Sequence, residues 1–381
     1  MTTRPVYLIG AGMMAFGKHK ETPLSELAAG AAAAALADAG FNGDEIGAAY
    51  VGTQWGGSMV GQRALKHIGL LGMPIANVEN ACSSSSTALH LAQMAVAAGM
   101  HDAILVIGAD KLTHIAGPLP RHPDDFDGSL GVSPPAVYAT RARRYMFEYG
   151  ATEEDLASVC VKNRKHAVDN DKALFQAAVS MDEVLGSRLV ADPLTLLQCC
   201  ARADGAAAVI VGSEAWARKA AQSPVRILAS QLCSGLYRSD FRDMTSPEIT
   251  VRCAQKAYAQ AGLQPSDIHF AEVHDAFSIA EMLYYEALGF CGAGQAKHLL
   301  REGATTIGGR LPVNPSGGLI AKGHPPGATG IAQVVEAVEQ LRGHAGKRQV
   351  KGAKNALTHC TGGGVSGLDH GACTIHILTS D

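Results

Sequence analysis

Residues 37–46, ADAGFNGDEI, return in altered form at residues 259–268 as AQAGLQPSDI, so Gly40 and Gly262 occupy equivalent places at an offset of 222 residues. Each glycine follows a helical pattern. Each also precedes a short apolar run, AAYVG in one case and FAEVH in the other, with Val51 and Val273 at the same offset. A glycine closing a helix, then a polar turn and a strand, is an α-to-β connection, and its recurrence indicates a duplicated α/β lobe.

The remaining pattern agrees with two lobes, as a length of 381 residues leads one to expect. VYLIGAG reads as an early buried strand. PIANVEN, SSSSTALHLAQMAVAAGM and DAILVIGAD read as strand, amphipathic helix and buried strand, a β–α–β unit. FAEV, SIAEMLYYEALGF, GATGIAQVVEAVEQLRG and KNALTHC alternate in the same manner, which implies sheets with helices packed on their faces. Between about 113 and 200 the alternation breaks. GPLPRHPDDFDGSLGVSPP has loop chemistry, and TEEDLASVCVKNRKHAVDN a helix whose start is marked by Thr152 with Glu153 and Asp155. ADGAAAVIVGSE then resumes as a core strand. The expected division is a first half over 1–224, interrupted by a loop domain at about 113–200, and a second half over 225–381.

Composition excludes several functions. The net charge of −3, with no block of like charges, offers nothing to nucleic acid or an anionic membrane. No apolar run approaches the roughly 20 residues of a membrane span. The N-terminus lacks the features of a signal peptide. Nine cysteines without CxxC pairs point to free thiols in a reducing cytoplasm, with neither a disulfide framework nor a metal site. The adjacent Cys199 and Cys200 read as small buried residues.

Four elements carry chemistry. NACSSSS puts Cys82 after a strand and before a helix, where backbone N–H groups and the helix dipole favour thiolate. NPSGGLIAKGHPPGATG, residues 314–330, fixes His324 between Gly323 and Pro325 just ahead of a helix, as a base or hydrogen-bond donor. HCTGGGVSG, residues 359–367, sets Cys360 before Gly362, Gly363 and Gly364, whose amides can face an oxyanion. VHDAF, residues 273–277, ends a strand at His274. Each has a plainer reading too: a buried cysteine at a tight turn, a solvated histidine, glycines that merely turn the chain.

Taken in order, the four elements resemble those of the thiolase family over most of the chain. NACSSS is similar to its nucleophile motif, the GHP block to its histidine motif, and HCTGGG to its CxG motif. VHDAF stands where many thiolases have Asn-Glu-Ala-Phe, and its His-Asp-x-Phe form, with LLQCCARADGAAAVIV and VKNRKHAVDN, resembles the sterol-carrier-protein-2 type.

The resemblance implies a five-layered αβαβα fold of two similar halves with an inserted loop domain, assembled as homodimers or dimers of dimers. It implies an acyl-CoA C-acyltransferase that cleaves a 3-oxoacyl-CoA with coenzyme A as co-substrate, or runs the reverse Claisen condensation. No resident cofactor is expected, and no coenzyme A contact is legible. By motif position Cys82 is acylated, His324 activates it, and Cys360 moves the proton on the second substrate. His274, with His324, faces the thioester oxygen, while the backbone amides of Cys82 and Gly362 hold the other oxyanion. Some bacterial and archaeal relatives also work with a small zinc-ribbon and OB-fold accessory chain.

Two departures stand out. Position 276 is Ala where the sterol-carrier type often has Cys, which leaves proton transfer to Cys360, and Pro326 replaces an aliphatic residue. Two alternatives share the fold. One is a ketosynthase-like condensing enzyme using Cys82, His274 and His324, and the other is a non-catalytic subunit of a complex.

Overall fold

The computed structural model describes residues 4–117, 119, 124–238 and 242–380. Positions 118 and 120–123 of the Pro- and Gly-rich stretch lie outside the described residues. The strands are β1 (Val6–Met13), β2 (Ala48–Gly52), β3 (Ile75–Val78), β4 (Ala103–Lys111), the hairpin β5 (Leu189–Ala191) and β6 (Leu194–Thr195), β7 (Asp204–Ser213), β8 (Val225–Cys233), β9 (Phe270–Glu272), β10 (Asn355–Gly362) and β11 (Ala372–Thr379).

Outside the hairpin the strand order is β3-β2-β4-β7-β1-β8-β11-β10-β9. The duplication is visible in the pairing senses. In the first half β2 and β4 are parallel, β4 and β7 antiparallel, β7 and β1 antiparallel. In the second half β9, β10, β11 and β8 repeat that series step for step. The halves join where β1 meets β8 through Tyr7 opposite Arg226 and Leu8 opposite Val225. The repeated glycines have one physical role. Gly40 and Gly262 close helices Leu24–Ala39 and Glu248–Ala261 at φ of 73° and 69°, a left-handed cap that costs a residue with a Cβ about 1 kcal/mol or more.

Helices make the five layers. Leu24–Ala39 covers the outer face of the first sheet against β1, β4 and β7. Ser84–Ala97 and Pro326–Leu341 pack on each other between the sheets, touching β4 on one side and β8 or β10 on the other. Glu248–Ala261 covers β8 and β11, with Ser278–Ala287 beside it. The helix over 326–341 is buried all round except at Glu339, as a helix with a sheet on each side must be. For the same reason β7 is buried along its whole length and, between Asp204 and Ser213 at its ends, is apolar without alternation.

The insertion occupies residues 112–203, between β4 and β7. Nine residues, 363–371, make the equivalent link between β10 and β11. The insertion carries helices Pro134–Tyr149 and Glu153–His166, the second opened by a capping box between Thr152 and Asp155. Its core is continuous with that of the second half, and Leu174 and Phe175 donate to Lys322 O and Ala321 O just ahead of His324.

Candidate active site

Cys82 lies on the turn between β3 and the Ser84–Ala97 helix. Ala81 before it takes φ of 50°, a left-handed conformation rare for a residue with a side chain. Hydrogen bonds hold the turn: Ser83 N–H donates to Asn80 O at 3.0 Å, and Ser84 N–H to Ala81 O at 3.1 Å. The end of β10 presses against it. A Cβ on Gly362 would stand 2.1 Å from Asn80 O and 3.0 Å from Ser83 N, so only glycine lets the strand approach this closely.

His324 sits between helices Gly318–Lys322 and Pro326–Leu341. Its N–H donates to Ala201 O at 2.9 Å, which places the QCCARAD run alongside it. Thr329 Oγ1 donates to Pro325 O at 3.0 Å and therefore accepts from His324 Nδ1–H at 2.7 Å. That tautomer leaves a lone pair on Nε2, which faces Cys82 Sγ at 3.2 Å. Pro326 fits because the first position of a helix requires no N–H.

Cys360 and His274 complete the group. Cys360 Sγ lies 3.1 Å from Cys82 O and 3.3 Å from His274 Nδ1, and the rings of His274 and His324 stand perpendicular with centroids 5.1 Å apart. The four motifs thus converge on one point, where His274, His324 and Cys360 are buried and Cys82 is half-buried. Among the described residues, Cys82, His274 and His324 are a set whose ligand atoms lie within 4.8 Å of one another, a spacing that suits a metal ion or a thioester oxygen held between them.

The charge states depart from the expectation that the helix terminus makes Cys82 a thiolate. Burial, reinforced by the Asp110 carboxylate, pushes the thiol up to about 12, against hydrogen bonds from the backbone of Gly363 and of Cys82 itself. Burial likewise holds the His324 imidazolium down at about 4. Desolvation outweighs the dipole, and the resting pair is neutral thiol and neutral imidazole. His274 is held well below the usual histidine range by burial and by His324, and Cys360 well above the usual thiol range by burial and by Cys82.

Several supporting residues were not legible in the motifs. The amides reaching the Cys82 sulfur are those of Gly363 and of Cys82 itself, whereas Gly362 serves the close contact with the turn. Asp275 accepts from Leu319 N–H at 2.6 Å and from Asn163 Nδ2 at 2.8 Å, so the residue after His274 fixes the short helix that leads to His324. Asn163 also donates to Glu281, as does Asn314. These contacts explain VKNRKH. That segment ties the inserted domain to both histidine loops. A separate cleft of about 520 Å³, lined by Asp38, Lys172, Glu339, Arg342 and Arg348 among others, shares no residue with this site.

Residues 6–215 match the family model for the thiolase N-terminal domain, and residues 230–372 the one described as thiolase C-terminal domain-like. The chain is 42% identical to the benzoylsuccinyl-CoA thiolase subunit BbsB of Thauera aromatica over 97% of its own length and 98% of that protein. It is 41% identical to human sterol carrier protein 2, covering 95% of this chain and 70% of that one. Among solved structures, an Ltp2–ChsH2(DUF35) aldolase superposes over 100% of this chain and 99% of that one with a TM-score of 0.86 and 30% identity. Human mitochondrial 3-ketoacyl-CoA thiolase, at 18% identity, shares the fold over 100% of both chains with a TM-score of 0.73. With both family models matched in order, the chain belongs to the thiolase family and is an acyl-CoA acyltransferase.

Proposed function

We propose that this thiolase cleaves a 3-oxoacyl-CoA with coenzyme A, and condenses two acyl thioesters in reverse, through an acyl group carried on Cys82. The observation that carries this reading is the 3.2 Å contact between Cys82 Sγ and the unprotonated Nε2 of His324, with the Cys360 thiol beside it.

The roles follow from the geometry. His324 Nε2 takes the Cys82 proton as sulfur attacks the 3-oxo carbon. The carbon–carbon bond breaks, and Cys360 S–H protonates the departing carbanion. The Cys360 thiolate then takes the proton of coenzyme A, whose sulfur attacks acyl-Cys82; the Cys82 sulfur leaves and recovers its proton from the His324 imidazolium, which returns the enzyme to its start. Two thiols with separate tasks divide one difficult step into easier ones. His274 polarises a thioester oxygen, and the amides around Gly362 and Gly363 support the other oxyanion. A neutral His274 can give a hydrogen bond without carrying charge, while the neutral His324 is free to accept the thiol proton.

We also read the chain as a homodimer, because the outer edge of β3 has no strand partner among the described residues and a second copy can extend the sheet there. A further small subunit fits too: one relative is named a subunit, and one structural neighbour is a complex with a DUF35 protein. Free thiols at all nine cysteines agree with a reducing cytoplasm. The division into 1–224 and 225–381 is supported by β7 ending at Ser213 and β8 beginning at Val225.

The test is purified protein against linear, branched and aromatic 3-oxoacyl-CoA esters with coenzyme A, alone and with the products of neighbouring genes. Coenzyme A-dependent cleavage of at least one ester is expected. Transfer from an acyl-carrier thioester with no thiolysis of any ester would favour the Cys-His-His condensing reading, and no turnover under any condition would favour the non-catalytic one.

A further inference from the structure

The inserted domain and the link 363–371 occupy equivalent places in the two halves, and the two grip each other. Tyr138 and Arg141 lie one turn apart on the Pro134–Tyr149 helix of the insertion. Arg141 Nη2 donates to Asp369 Oδ1, and the Tyr138 hydroxyl lies 2.8 Å from His370 Nε2. All four residues are at least nine-tenths buried.

These contacts reach the site through geometry. Gly371 N–H donates to Gly363 O at 3.1 Å, which brings the link back to its own start. Gly363 takes φ of 62°, and a Cβ there would stand 3.3 Å from that of Ala81, the residue before Cys82. Tyr138 also stacks on Phe277, three residues beyond His274, with ring centroids 4.6 Å apart. Its hydroxyl lies 3.4 Å from that of Tyr284, which is 3.2 Å from Thr361 Oγ1, next to Cys360 on β10. The middle of the link is tied elsewhere, since Arg238 N–H donates to Gly367 O at 3.2 Å and Arg242 to Leu368 O. Its return over 369–371 is what Arg141 and Tyr138 hold.

A buried ion pair adds little stability over apolar side chains of the same volume. Asp369 Oδ2 has no hydrogen-bond partner among the described residues, so this pair is not even fully satisfied. What the pair supplies is a single register: Asp369 must face Arg141, whereas apolar side chains could slide.

We propose that Tyr138 and the Arg141–Asp369 pair are positioning residues, which hold the return of the 363–371 link so that the Gly363 N–H meets the oxyanion formed as Cys82 attacks. The proposal rests on the acyl-Cys82 reading above, in which amides around Gly362 and Gly363 support that charge. Tyr138, Arg141 and Asp369 move no proton. Their effect falls on a donor that acts only once the oxyanion forms.

Two reactions of the same sulfur separate this role from general support of the site. Acylation of Cys82 by an acyl-CoA donor passes through an oxyanion, whereas alkylation by iodoacetamide does not. Tyr138→Phe is expected to slow single-turnover acylation by about tenfold and Asp369→Asn by about 10- to 100-fold, part of the loss on removing a donor outright, while alkylation changes less than about threefold. Arg141→Lys, which keeps the charge, should acylate faster than Arg141→Met. Tyr138→Phe removes a single oxygen and keeps the test open where Asp369→Asn, which leaves Arg141 unpaired, does not fold. Acylation at the wild-type rate in every variant that folds, or acylation and alkylation that fall in equal proportion, overturns the proposal. If the wild-type protein is alkylated at Cys82 but acylated there by no donor, the acyl-Cys82 reading fails first, and the proposal falls with it.

Discussion

His324 Nε2 stands 3.2 Å from Cys82 Sγ with neither group charged, because the burial that brings them together penalises both thiolate and imidazolium. The thiol is raised to about 12, so its anion is scarce near neutrality, and the imidazole is lowered to about 4, so it stays a competent base down to that pH. Proton transfer must therefore accompany sulfur attack. The rate of Cys82 alkylation by iodoacetamide is expected to keep rising above about pH 9, and substrate-driven acylation to fall only as pH drops towards about 4. An alkylation rate already level between about pH 6 and 8 would mean a preformed thiolate–imidazolium pair.

The two histidines should differ in what they tolerate. His274→Asn keeps a neutral donor near the thioester oxygen, whereas His324→Asn leaves nothing to accept the Cys82 proton. Loss of an oxyanion donor typically costs about 100- to 1000-fold in turnover, so His274→Ala should fall by that order and His274→Asn by much less. His324→Asn should be nearly inactive. Turnover at equal folded concentration decides it. Equal and severe losses in His274→Asn and His324→Asn would make His274 a proton carrier.

Cys360 touches Cys82 O and His274 Nδ1, and Ala276 offers no rival thiol. Cys360→Ala should still acquire an acyl group from an acyl-CoA donor yet lose most carbon–carbon cleavage. Single-turnover acylation measured beside steady-state cleavage separates the two steps. Cleavage within a few-fold of wild type would assign the proton to another group.

Gly362 and Gly364 give a paired test of packing at the nucleophile turn. A methyl on Gly362 meets Asn80 O at 2.1 Å, whereas nothing lies within 4 Å of one on Gly364. Gly362→Ala should lose about 1–3 kcal/mol of stability through overpacking and shift the Cys82 turn, with a large fall in activity. Gly364→Ala should leave the denaturation midpoint where it is. Equal midpoints for both variants would show that the turn can yield.

The sequence carried the frame of the fold in a few residues. Gly40 and Gly262 marked the duplication because a left-handed helix cap is a local requirement that only a residue without a Cβ meets at low cost. Cys82, His324, Cys360 and His274 were legible because each stands at the end of a strand or the start of a helix, where a short motif fixes both backbone and side chain. Less was legible where the contact crosses the fold. Thr329 sets the His324 tautomer from the first turn of the next helix, and Asn163 reaches Asp275 across 112 residues. The charge state of Cys82 was misread for the same reason: a helix terminus is local and visible, whereas desolvation depends on everything packed around the sulfur.

Acylation at Cys82 is the step from which every other role here follows. The protein is incubated with an acyl-CoA donor, quenched and digested, and each of the nine cysteines is examined by peptide mass spectrometry. The account predicts the acyl mass on the peptide containing Cys82, its disappearance on addition of coenzyme A, and its absence in Cys82→Ala. An acyl group that forms on another cysteine and turns over with coenzyme A while Cys82 stays free would contradict it.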